Sequence, residues 1–179
     1  MAIKYNNALR TARSMLGKPY SEIDCIRLIV MIIRKSPGGD TSYRCEGTNW
    51  LWRSAENAKK YRHIEWRQDG IENARGGMLA FKQEGDDIHH VGFVTNEGTV
   101  IHSSSIYGMV VETLLDGSWQ LLAGHRDLEI DGKPMTTDIE PEAEVPEADA
   151  PENVNAFTSL VRDDGTSIML AGRWRVAED

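Results

Sequence analysis

Tyr20-Ser21-Glu22-Ile23-Asp24-Cys25-Ile26-Arg27-Leu28-Ile29-Val30 joins a short polar turn to an apolar run, with a cysteine at the junction. Ile26, Ile29, Val30 and Ile33 recur at helical spacing, so the pattern predicts a helix over 24–35. Its β-branched content is high for a helix, and tertiary burial has to hold it. A thiol in the first turn meets unpaired backbone N–H groups and the positive end of the helix dipole. That setting is expected to lower its pKa and favour the thiolate. Cys25 is therefore a candidate nucleophile, which needs a base within reach and a third group to orient that base.

Before this stretch, residues 6–16 read as an amphipathic helix with Leu9, Ala12, Met15 and Leu16 on one side. Gly17 and Pro19 end it. After it, Ser36-Pro37-Gly38-Gly39-Asp40 is a break. A third helix is expected over Asn49 to Tyr61, with Trp50 and Trp52 in the core. The period then shortens to two. Short strands are expected at Met78–Phe81, His89–Thr95, Thr99–Ser103, Gly108–Leu114 and Trp119–Leu122, with a hairpin turn at Asn96-Glu97-Gly98. Helices followed by an antiparallel sheet make an α+β layout.

The chain has five histidines, and His90 and His102 fall on facing strands of one expected hairpin. Neighbouring strand residues point to opposite faces, so only one of His89 and His90 should face a helix packed on the sheet. Periodicity leaves open which one. His63 and His125 read as surface or partly buried histidines, and Cys45 as a structural or incidental thiol. A zinc site built from histidines and a cysteine ranks below a catalytic set, because the close paired ligand spacing is missing. No metal or other cofactor is expected.

Hydrophobic residues make up 40% of the 179, ordinary for a globular domain. There is no apolar run long enough for a membrane span. The N-terminus lacks a signal-peptide pattern, so cytoplasmic synthesis is expected, with both cysteines as thiols. The net charge of −8 is concentrated in 138–152, which holds seven acids and no base, whereas 1–137 is neutral overall. Such a body is a poor polyanion binder, which argues against nucleic acid. The expected organisation is a main domain at 1–137, an acidic Pro/Ala-rich linker at 138–153, and a short β segment at 154–179. That last segment is too small to stand alone and is expected to dock, on its own domain or on another chain.

The ordered motifs carry a resemblance. Gly17-Lys18-Pro19-Tyr20, Asp24-Cys25-Ile26-Arg27-Leu28-Ile29, Gly76-Gly77-Met78-Leu79-Ala80-Phe81, His90-Val91-Gly92-Phe93 and Ile101-His102-Ser103 resemble the NlpC-type cell-wall cysteine peptidases, in family order over roughly residues 5–130. The resemblance implies a papain-like core, Cys25 as nucleophile, His90 as general base and His102 as the residue that orients its ring. It implies substrate subsite roles for Tyr20 and Asp24, and an oxyanion donor at the Cys25 amide. The implied substrate is a peptidoglycan stem peptide, cut at the γ-D-glutamyl–diamino-acid amide or a nearby one. A wall-directed activity without an export signal implies a phage or prophage origin, in a tail or lysis component. Residues 154–179 would then meet a second copy or a phage structural partner.

Two departures from the family alter the wall of the cleft: Ile26-Arg27 stands where Ser-Gly is usual, and the turn before Asp24 is shortened to Ser21-Glu22-Ile23. Arg27 could meet a substrate carboxylate, but a surface acid is the favoured partner. The alternatives are a non-enzymatic or weakly active tail or assembly protein on the same fold, and an acyltransferase on the same core.

Overall fold

The structure is a computed structural model that describes residues 1–132, 154–161 and 167–174. The acidic linker and the boundary at 137 lie outside the described residues.

Helix α1 (Tyr5–Arg13) is followed by α2 (Cys25–Lys35), the element on which the core is built. Asp24 caps α2: its carboxylate accepts the Arg27 N–H at 2.7 Å, which contributes about 1 kcal/mol. Leu28, Ile29, Ile32 and Ile33 are fully buried, each worth about 1.5–3 kcal/mol relative to exposure. That burial keeps a β-branched run helical. Helix α3 (Thr48–Arg53) is shorter than the periodicity suggests and gives way to 3-10 turns at Ser54–Glu56 and Lys59–Tyr61. Trp52 packs edge-on to Phe81, but Trp50 is 38% exposed, contrary to the core position expected for it.

Six antiparallel strands follow: β1 (Ile64–Asp69), β2 (Leu79–Glu84), β3 (Asp87–Val94), β4 (Thr99–Ser104), β5 (Met109–Leu114) and β6 (Leu121–His125), in spatial order β1-β6-β2-β3-β4-β5. The α+β class read from the sequence is thus the class observed. A separate hairpin of β7 (Val154–Val161) and β8 (Ser167–Trp174) pairs antiparallel, and the backbone of β8 lies alongside β5.

The sheet has two apolar faces. Phe81, Val91, Phe93 and Ile101 pack with α1 and α2 in the main core, while Ala80, Val94, Val100, Trp119 and Leu122 form a second cluster. Two irregularities disturb this alternation. Lys82 pairs with His90 but Gln83 pairs with Ile88, so His89 is an extra residue in a β-bulge. In addition, β3 and β4 pair only at Phe93–Ile101 and Val94–Val100, and then part company. The start of α2 enters beside this splay, where the Ser103 hydroxyl donates to the Ile23 carbonyl. No helix among the described residues is long and apolar enough to cross a membrane.

Candidate active site

Cys25 is the first residue of α2 and is 8% exposed. Backbone N–H groups of Val91, Ile26 and Cys25 itself point at its sulfur and favour the thiolate. Burial opposes them and is the larger influence; the neighbouring Asp24 carboxylate adds to it, and the pKa ends above the ordinary thiol value. The expectation of a lowered pKa is therefore corrected. A helix start supplies the right dipole, but a desolvated sulfur beside a carboxylate holds its proton.

The bulge revises the histidine geometry as well. With His89 as the extra residue, Ile88 and Val91 both reach the main core, and the two residues between them do not. Neither imidazole sits beneath the helix; His89 is exposed and His90 half-buried. His90 Nε2 and His102 Nδ1 are 2.8 Å apart, and His102 Nε2 is 3.2 Å from Thr113 Oγ1. The bond to His102 occupies Nε2 of His90, so Nδ1 is the nitrogen left for an incoming proton. A consistent assignment then gives both rings an Nε2–H, with His90 donating to His102 and His102 to Thr113.

Trp119 lies over the pair, its ring 5.5 Å from His90 and 5.2 Å from His102. Lys82 stands above the indole at 4.7 Å and donates to Ser118 at 2.8 Å. Burial, then the Lys82 charge, pushes the His90 pKa down to about 4; burial and the His90 charge push His102 to about 3. Both rings are neutral near pH 7, the state in which His90 can accept a proton.

A scan against protein-family models and a search of curated proteins both returned no match.

The structure brings His90 and His102 into one hydrogen-bonded pair and sets the Cys25 sulfur against the backbone of Val91, the residue after His90. Among the described residues Cys25 makes no side-chain hydrogen bond to either ring. Tyr20 is half-buried, and the charges of Cys25 and Asp24 add to the burial that raises its phenol pKa, so it stands at the same cleft. Asp24 has one carboxylate oxygen engaged as the helix cap. Arg27 is exposed, and no ion pair to a surface acid is found for it among the described residues, unlike the favoured expectation.

Thr113, Trp119 and Lys82 complete the surroundings of the histidines and did not stand out in the sequence. Thr113 and His102 are two register positions apart across β4 and β5, a link visible only once those strands are paired. Cys45 is an inert thiol, its pKa pushed up to about 11 by burial. His125, expected at or near the surface, is fully buried and lies 2.9 Å from the Tyr43 hydroxyl, while the Asp127 N–H donates to its Nδ1 at 3.1 Å.

Proposed function

We propose that the protein is a cysteine peptidase of the NlpC type, with a papain-like core, that hydrolyses peptidoglycan stem-peptide amides. The observations that carry this reading are Cys25 at the start of α2 and the hydrogen-bonded His90–His102 pair, in the motif order of that family. In the free protein the pair works from neutral partners. The reading requires that the proton pass from the sulfur to His90 Nδ1 as it attacks the amide carbonyl; His102 Nδ1 then accepts the Nε2–H of the His90 imidazolium. The Cys25 N–H is the oxyanion donor; one such donor is typically worth about 3 kcal/mol. His90 then protonates the leaving amine and a thioester remains. Water attacks the thioester while giving a proton to His90, and that proton returns to sulfur as the acid departs. Tyr20 and Asp24 would flank the substrate on its N-terminal side, and a phage tail or lysis component is the setting that fits a wall substrate.

Purified sacculi or defined muropeptides, followed by mass spectrometry, test the reading. The wild type should release stem-peptide fragments, and Cys25→Ala should release none; equal release by both would overturn it. An added amine acceptor distinguishes an acyltransferase, which would run the same steps with amine in place of water.

The raised Cys25 pKa and the Ile26-Arg27 pair favour a second reading, a tail or assembly protein that keeps the fold without efficient catalysis. Absence of any fragment from the wild type would select it.

A further inference from the structure

On the solvent side of α3 lies a hollow of about 320 Å³ lined by Asn49, Trp50, Arg53, Ser54 and Asn57. Two of the polar side chains are already committed. Asn49 donates to Asp87 Oδ1 at 2.5 Å and accepts the Ile88 N–H at 3.1 Å. Ser54 Oγ accepts the His63 and Ile64 N–H groups at 3.3 and 3.1 Å. The Arg53 guanidinium and the Asn57 amide make no side-chain hydrogen bond or ion pair among the described residues, and Trp50 offers an indole to solvent. The following segment adds Lys59 and Lys60 at the surface and a half-buried Arg62, while the preceding Glu56 is held by Arg67 at 3.2 Å. Behind Trp50, with ring centroids 4.9 Å apart, His63 carries a buried Nδ1 that has no hydrogen-bond partner among the described residues. An aromatic surface, an uncommitted guanidinium and carboxamide, and a basic margin match a ligand with an apolar ring face, amide groups and carboxylates.

We infer that this hollow is a second binding site, for the N-acetylated sugar end of an acidic glycopeptide. The sugar ring lies on Trp50, its acetamido group meets Asn57, and an acidic or acyl oxygen meets Arg53. The inference rests on the peptidase reading for its choice of ligand. Asn49 at its edge also holds Ile88 of β3, the strand whose Val91 N–H faces the Cys25 sulfur.

Calorimetry on full-length Cys25→Ala, which removes turnover, tests the site with N-acetylmuramyl-L-alanyl-γ-D-glutamyl-diaminopimelate and the same tripeptide without its sugar. The sugar-bearing form should bind about tenfold tighter. Trp50→Ala, and independently Arg53→Gln, should each reduce that preference while leaving tripeptide affinity unchanged. Equal affinities, no binding of either ligand, or a preference that survives both substitutions would overturn the inference. Wild-type hydrolysis of both compounds is scored separately. A sugar preference without hydrolysis would sink the peptidase reading and keep the sugar site; hydrolysis without a sugar preference would do the reverse.

Discussion

At the scale of single residues, the site depends on how closely Trp119 can approach the histidines. Gly92 makes the approach possible. A Cβ there would stand 2.3 Å from Val100 Cγ1 and 3.1 Å from both His102 Cβ and Trp119 Cη2. Gly92→Ala should therefore cost about 1–3 kcal/mol in urea unfolding, as overpacking does. A loss below about 0.5 kcal/mol, the size of a plain surface change, would show that the indole is free to move aside. The glycine of the His-Val-Gly motif is visible in the sequence. Its reason, an indole arriving from residue 119, is not.

At the scale of elements, α1 is held to the sheet by charge as well as by its apolar side. Arg13 meets Glu112 of β5 through Nη2 at 3.1 Å and Nε at 3.3 Å, and also pairs with Glu97. Glu112 is fully buried and takes a further hydrogen bond from Thr99 at 2.6 Å. Removing the arginine strands a buried carboxylate, so Arg13→Ala should cost about 3 kcal/mol or more. Arg13→Met with Glu112→Gln should recover much of that in a denaturant titration; an additive loss in the double variant would count against coupling. The helix itself was legible from its apolar spacing. Strand β1 was not, because only Ile64 and Trp66 of its six residues are large and apolar, and it borders the sheet with one side to water. The expected third helix was too long, since Ser54 turns its hydroxyl to the Leu51 carbonyl and to the N–H groups of His63 and Ile64, and the chain leaves the helix there.

At the scale of the whole molecule, buried neutral histidines give the fold an acid sensitivity. The pKa of His90 is held near 4, and those of His102 and His125 near 3, mainly by burial, against an ordinary 6.5 in the unfolded chain. Below pH 6.5 the unfolded chain takes up protons that the folded one refuses. Stability is therefore full above that pH and falls as the pH drops toward 4, by up to about 1.4 kcal/mol per pH unit for each group. Urea midpoints measured from pH 7 to pH 4.5 should decline, and His125→Asn should flatten the decline whatever it does to stability at pH 7. A level profile in the wild type would contradict the burial of these rings.

The amino-acid sequence by itself determined the start of α2 at Cys25, the change of period from helix to strand, and the hairpin that carries His90 and His102, because these depend on spacing and on local turn chemistry. Tertiary structure alone decided which way the histidines point and which proton each group keeps. The bulge at His89 and the parting of β3 from β4 arise from hydrogen bonds to partners on other strands. The raised Cys25 pKa and the lowered histidine values arise from what is packed around them. Spacing records what a residue can be; desolvation by distant neighbours sets its charge.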